Sequence, residues 1–141
     1  MDKQVRVLTN NHLVEQSLDV RKACAVDYCA GTLNELMMKV RDLVHLGYRL
    51  CTHPLSGSIK PNQTPYKSIG LSDLAQKPLC TDSLMMIEHS IALCRCSALI
   101  THQATPNILK DFQLIDLTLI LSAIEGMNLE RSHTAAPNTP N

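Results

Sequence analysis

The residues best suited to chemistry lie in one stretch, CTHPLSGSIKPNQTPYKSIG, residues 51–70. Its Ser-Gly-Ser unit offers backbone N–H groups and hydroxyls that suit an anion or a carboxylate. Lys60 and Lys67 could neutralise such a charge, and His53 is the natural proton carrier because histidine titrates near neutrality. Three prolines stiffen the stretch, which reduces the entropy lost on ordering. The stretch is therefore typical of a ligand clamp, although the same residues would also make a plain surface loop.

Two other arrangements invite a chemical interpretation. Cys51 and His53 lie two apart on a predicted strand and share a face, which would suit a nucleophile and its base, but we favour packing of Cys51 in the core. The Cys-Arg-Cys unit at 94–96, with two histidines nearby, suggests a metal site. Helical positions i and i+2, however, point about 200° apart, so both thiols cannot easily reach one ion. Because CxxC, GxxxxGK[ST] and GxGxxG motifs are also missing, we expect no metal and no cofactor.

Composition narrows the class of function. Thirteen basic residues balance thirteen acidic ones, which gives no electrostatic signature for nucleic acid or an anionic membrane. One phenylalanine, three tyrosines and no tryptophan leave few platforms for stacking bases. The longest apolar region, 114–124, is interrupted by Asp116 and is too short to span a membrane. A charged N-terminus without an apolar signal core favours reduced cysteines, so we expect a cytoplasmic protein that binds neither nucleic acid nor membrane.

Hydrophobic periodicity and turn signals predict alternating strands and helices. Strands are predicted at 4–9, 23–28, 48–52 and 68–71, and helices at 12–18, between Thr32 and Gly47, from 82 to about 97, and from 105 to about 126. The helix after Thr32 has the clearest signals, because Glu35 completes a capping box and Gly47 occupies the C-cap. In the last helix, the residues predicted to share one face are Ile108, Phe112, Ile115, Leu119 and Ala123.

This order of elements predicts a single small α/β domain over residues 1–128. Its sheet is expected to be mainly parallel and flanked by helices, in Rossmann-like layers, and residues 129–141 are expected to form a disordered tail. Ligands of such sheets bind outside the carboxyl ends of the strands. The candidate ligand-binding residues are therefore Asn10, Asn11, Thr52, His53, Ser56, Gly57, Ser58, Lys60, Asn62, Thr64, Tyr66, Lys67 and Ser68. If the loop is preformed, the side chain of Asn10 or Asn11 should hydrogen-bond to its backbone.

Three stretches carry a resemblance to a known family. KVRDLVHLGYRLCTHPLSGSIKPNQTPYKSI (39–69) resembles the central signature of the GrdX family, and LTNNHLV (8–14) and DFQLIDLTLILSAIE (111–125) are similar to that family's ends. The sequence departs from the pattern at His12, where a proline is expected, and at Gln63, where an acidic residue is usual. The family is associated with glycine, sarcosine and betaine reductase systems. The resemblance thus implies a setting in amino-acid fermentation and reductase components as partners, but no reaction.

Three hypotheses of function follow from these observations. The first is a non-catalytic accessory protein that binds a small anionic metabolite or amino-acid derivative, because no complete catalytic constellation is visible. The alternative is a small enzyme acting on a phosphorylated or carboxylated metabolite, with His53 as general base and Lys60 or Lys67 holding the anion. The third is a protein–protein interaction scaffold, which predicts an exposed apolar patch near the Met-Met pairs at 37–38 or 85–86.

Overall fold

The computed structural model describes residues 4–55, 64–96 and 105–135. Most of the described residues are helical. The elements in chain order are β1 (Val5–Thr9), α1 (His12–Gln16), α2 (Leu18–Ala23), β2 (Ala25–Tyr28), α3 (Leu33–Leu46), β3 (Ser68–Ser72), α4 (Thr81–Cys96) and α5 (Pro106–Ala135). The predicted division of the chain at residue 128 stays a prediction, and α5 itself continues to Ala135.

The sheet is small and mixed, so the prediction of a mainly parallel, Rossmann-like sheet is wrong. Its strand order is β2-β1-β3, in which β1 pairs parallel with β2 and antiparallel with β3. A further parallel strand would require a crossover connection of about a dozen residues or more. Instead, the chain reverses direction between residues 52 and 68, and antiparallel pairing places Ser68 opposite Thr9. The carboxyl end of β1 therefore lies beside the start of β3.

The predicted strand at 48–52 is also wrong, because the structure forms only an isolated antiparallel bridge between Leu50 and Leu71 there. Three backbone hydrogen bonds join this segment to β3. The N–H groups of Cys51 and Thr52 donate to the Gly70 carbonyl at 2.8 and 3.3 Å, and the Ser72 N–H donates to the Arg49 carbonyl at 2.8 Å. Side-chain hydroxyls accept the neighbouring backbone N–H groups: Ser72 that of Arg49, Ser83 that of Leu50 and Thr52 that of Gly70. These hydroxyls satisfy the donors that a regular strand would have paired with backbone.

Two hydrophobic cores cover the two faces of the sheet. One packs α3 and α4 against the sheet, and its buried members are Leu8, Leu33, Leu36, Met37, Val40, Val44, Ile69, Leu71, Ile87, Ile91 and Cys94. The other packs α1, α2 and α5, and its buried members are Val5, Val7, Val14, Val20, Cys24, Ile120 and Ile124. Side chains of β1 contribute to both cores because successive residues of a strand point to opposite faces.

Helix α3 confirms its predicted caps. The Thr32 hydroxyl accepts the backbone N–H of Glu35 at 3.2 Å, and Gly47 adopts the left-handed conformation with φ of 118° at the C-cap. The N–H of Gly47 is bonded to the carbonyls of Leu43 and Val44, which satisfies acceptors that the end of a helix leaves open.

Other boundaries shift from the predicted ones. The single helix predicted at 12–18 is two short helices, because Ser17 closes α1 and its hydroxyl caps α2. The predicted face of α5 is wrong as well: Ile108, Ile115 and Leu119 are exposed, and Asp116, Ile120 and Ile124 are buried. The inward face is set by Asp116, whose hydrogen bonds to the sheet are described below.

Candidate functional site

Asn10 ties the end of β1 to the residues that precede β3. Its Nδ2 donates to the carbonyl of Pro65 at 2.8 Å and to that of Gly31 at 3.3 Å. Its Oδ1 accepts the backbone N–H of Lys67 at 2.9 Å. Asn10 is only 6% exposed, so these bonds are shielded from water. The predicted contact between an asparagine and the loop backbone is thereby confirmed for residues 65 and 67.

Asn11 joins three elements at the same end of the sheet. Its Oδ1 accepts the backbone N–H of Leu13 at 3.0 Å and so caps α1. Its Nδ2 donates to the Gln113 carbonyl at 2.8 Å and to Asp116 Oδ2 at 3.1 Å, both on α5. The fully buried amide therefore uses its acceptor and its donor group to fix α1 and α5 against β1.

A chain of buried hydroxyls runs from β1 through β3 to α5. The backbone N–H of Asn11 donates to Thr9 Oγ1 at 3.0 Å, Thr9 Oγ1 lies 2.7 Å from Ser68 Oγ, and Ser68 donates to Asp116 Oδ2 at 2.7 Å. Because the Ser68 proton goes to Asp116, Thr9 must donate to Ser68. Thr9, Asn11, Ser68 and Asp116 thus form a closed ring of hydrogen bonds, which we call the Asp116 cluster.

Two opposite charges are buried beside this cluster. Lys67 and Asp116 are each 5% exposed. Burial lowers the pKa of Lys67, and the charge of Asp116 opposes that shift. Burial raises the pKa of Asp116, against hydrogen bonds from Ser68 and Asn11 and the charge of Lys67. Each charge is costly to bury, and each one reduces the cost of the other.

A small cavity lies next to the two charges. Its polar wall consists of Thr52, Lys67, Ser68 and Asp116, and its apolar wall of Leu119, Ile120 and Ala123. Its volume is about 10 Å³, which is about the space that one water molecule requires. In this structure the cavity can therefore receive one small polar group rather than a whole metabolite.

The structure brings together five of the predicted site residues: Asn10, Asn11, Thr52, Lys67 and Ser68. Thr64 and Tyr66 make a local turn, in which the Thr64 hydroxyl accepts the Tyr66 N–H at 3.2 Å. His53 is exposed and does not line the cavity, and its Nδ1 accepts the backbone N–H of Leu55 at 3.0 Å. The predicted residues Ser56, Gly57, Ser58, Lys60 and Asn62 lie outside the described residues.

The predicted site omitted Asp116 and Thr9. Asp116 interrupts the apolar run QLIDLTLIL, and Ile120 and Ile124 follow it at helical spacing. A carboxylate on the buried stripe of a helix requires hydrogen-bond partners, because unpaired burial of a charge is costly. That position was the sequence signal for the Asp116 cluster, although it did not reveal Ser68 and Asn11 as the partners.

Two classes of site are not found in the described part of the chain. Among residues 4–55, 64–96 and 105–135, no three His, Cys, Asp or Glu side chains are grouped so that they could hold a metal ion. None of the helices described there has the length and apolar character needed to cross a bilayer.

The fold and site define a small mixed α/β protein with a buried charged cluster at one end of its sheet. A family model described as GrdX-like protein matches residues 6–125. The chain therefore belongs to the GrdX-like protein family, which confirms the resemblance noted in the sequence. The Asp116 cluster, Lys67 and the cavity all lie within the matched range. No curated protein and no solved structure matches the chain.

Proposed function

We propose that this GrdX-like protein is a non-catalytic accessory protein of glycine, sarcosine or betaine reductase metabolism that binds a small anion or amino-acid derivative. The observation that carries the proposal is the buried Lys67 on the wall of a cavity at the end of β1. A cation shielded from water attracts an anionic group more strongly than an exposed one does. The proposed setting rests on membership in the GrdX-like family.

The described geometry supports binding by a head group rather than by enclosure of a whole ligand. Asn10 accepts the backbone N–H of Lys67, so the backbone of this cavity-lining residue is held in place. The hydroxyls of Thr52 and Ser68 lie on the same wall. Because the cavity holds about one water, the remainder of the ligand would lie at its mouth.

The geometry around His53 favours this proposal over the enzyme alternative. A general base must lie within hydrogen-bond reach of the proton that it removes. His53 is exposed, lies apart from the cavity and uses Nδ1 to accept a backbone bond from Leu55. The exposed patch that the scaffold alternative predicts at the first methionine pair is absent among the described residues, because Met37 is fully buried and Met38 packs against the core, and at the second pair only Met85 is strongly exposed.

Thermal-shift measurements test the proposed binding. Glycine, sarcosine, betaine and acetyl phosphate are added to the full chain, and at least one should raise the Tm. Saturation at about 100 times Kd would stabilise the folded state by about 2.7 kcal/mol. Lys67→Met should abolish the shift, and Lys110→Met, which removes an exposed lysine of α5, should retain it.

Co-purification tests the proposed setting. Tagged protein expressed together with the reductase subunits should retain at least one of them. If no compound raises the Tm and no reductase subunit is retained, the proposed function is wrong.

A further inference from the structure

We propose that the cavity beside Lys67 and Asp116 selects a zwitterion, a small molecule with both an anionic group and a protonated primary amine, over ligands with a single charge. The inference rests on the proposed function, because it presumes that a ligand binds at this cavity. It goes further by naming the charges that the ligand must carry and the size of its amine.

The charges of the cavity wall are the first argument. Lys67 and Asp116 line the same small cavity and are almost fully buried. Lys67 attracts a simple anion, but Asp116 repels it, and a simple cation meets the reverse situation. Because neither charge is screened well by water, this opposition weakens every singly charged ligand. A zwitterion can place its anionic group toward Lys67 and its ammonium toward Asp116.

The hydrogen-bonding capacity of the wall is the second argument. Asp116 accepts the Ser68 hydroxyl and the Asn11 amide at Oδ2, and the backbone N–H of Ser68 also bonds to the carboxylate. A carboxylate offers about four acceptor sites on its two oxygens, so three bonds leave capacity for one further N–H donor. Thr52 Oγ1 accepts the backbone N–H of Gly70 at 2.9 Å, which leaves its own proton to donate. Lys67 and Thr52 thus provide donors for an anionic group, and Asp116 provides an acceptor for an ammonium.

The size of the cavity is the third argument. Its volume of about 10 Å³ is close to the minimum for one water molecule. A primary ammonium group is about that size and can donate to Asp116, while the anionic group of the same ligand, for which the cavity has no room, would lie at its mouth and be attracted by Lys67. A trimethylated nitrogen is larger and has no N–H, so it would meet Leu119 and Ala123 on the apolar wall without pairing with the carboxylate. We therefore expect selection against quaternary amines.

Four probes separate these requirements in NMR titrations of the full chain. Glycine carries both charges, acetate only the anion, methylammonium only the cation, and trimethylglycine carries both charges with a bulky nitrogen. The reporters are the side-chain amide of Asn11, which donates to Asp116, and the backbone amide of Gly70, which donates to Thr52. We expect glycine to bind at least tenfold more tightly than each of the other three.

A matched pair of variants assigns the selectivity to Asp116. Asp116→Asn should weaken glycine binding at least tenfold and strengthen acetate binding, because the repulsion of anions is removed. Asp111→Asn removes an exposed carboxylate from the same helix and should change neither affinity. Far-UV circular dichroism and the Tm establish whether each variant is folded. If Asp116→Asn does not fold, the comparison of the four probes on the unmodified chain decides the proposal.

The possible failures are distinguishable. If acetate binds as tightly as glycine and Lys67→Met abolishes both, selection of a zwitterion is wrong while anion binding stands. If trimethylglycine equals glycine, the argument from size is wrong. If none of the probes shifts the reporters, the zwitterion proposal fails, and the proposed function then depends on the thermal-shift and co-purification results alone.

Discussion

At the residue scale, the main feature is a carboxylate and an ammonium buried at the same end of β1. Isolated charges in such surroundings would be strongly unfavourable, and even paired ones rarely stabilise a fold. Ser68 and Asn11 supply charge-assisted hydrogen bonds to Asp116, which reduce the cost without removing it. Retention of this cost is consistent with a role in binding, because a hydrophobic pair would fill the same space at lower cost.

The pH dependence of stability should report the burial of Asp116. Burial raises the pKa of Asp116 above the 3.8 of the unfolded chain, so its contribution to stability is full below pH 3.8 and is lost as the pH rises through the folded-state pKa. Asp116→Asn removes this loss, and its amide oxygen can still accept from Ser68 and Asn11. We expect the free energy of unfolding of the variant, minus that of the unmodified protein, to increase as the pH rises above 3.8.

Urea denaturation at a series of pH values measures this difference. Asp111→Asn is the control, because Asp111 is exposed on the same helix. A difference for Asp116→Asn that stays constant or decreases with pH would contradict the raised pKa.

The sequence predicted one half of the site and missed the other. Asn10, Lys67 and Ser68 were among the predicted site residues because they lie at the ends of predicted strands, in or beside a loop with basic and turn-forming residues. Asp116 is 48 residues after Ser68 in the chain, and only the fold brings them together. The hydrogen-bond partner of a buried carboxylate is a tertiary property that local spacing does not contain.

At the element scale, the sequence predicted correctly those features whose hydrogen-bond partners lie nearby in the chain. The caps of α3 lie within the helix and its flanking residues, so Thr32 and Gly47 could be assigned from sequence. The segment at 48–52 has the composition of a strand, but the hydroxyls of Ser72 and Ser83 bind its N–H groups, and these come from distant positions. The buried face of α5 was misassigned because apolar residues lie on more than one side of this helix. The hydrogen bonds of Asp116 decide which side faces the sheet.

Two glycine substitutions should have opposite effects on stability. A Cβ added at Gly47 would lie 2.7 Å from the Gln76 carbonyl oxygen, at a φ of 118° that disfavours other residues. Gly47→Ala should therefore destabilise the protein by about 1–3 kcal/mol. Gly126 lies within α5 with nothing within 4 Å of an added Cβ, so Gly126→Ala should stabilise by about 0.5–1 kcal/mol.

Chemical denaturation of both glycine variants checks the prediction. Each variant adds the same methyl group, so the unmodified chain serves as the common reference. Equal effects of the two substitutions would show that backbone conformation at Gly47 does not matter.

At the scale of the whole molecule, the candidate site results from the antiparallel pairing of β1 with β3. Antiparallel pairing places Thr9 opposite Ser68, and α5 then covers that end of the sheet. The sequence indicated alternating strands and helices but not strand order or direction, because both depend on pairing between residues far apart in the chain. Leu50 forms an antiparallel bridge with Leu71 of β3, and Thr52, two residues later, lines the cavity beside Ser68.

The two cores should unfold together, because one small sheet separates them. Ile87 is fully buried in the core of α3 and α4, and Ile120 is 3% exposed in the core of α5. Truncation of either residue to alanine should lower the free energy of unfolding by about 2–5 kcal/mol. Leu114→Ala is the matched control, because Leu114 is 56% exposed on α5 and should cost much less. Tyrosine fluorescence and far-UV circular dichroism should follow one coincident transition in each variant, whereas a separate early transition in Ile120→Ala alone would show that α5 and its core form an independent unit.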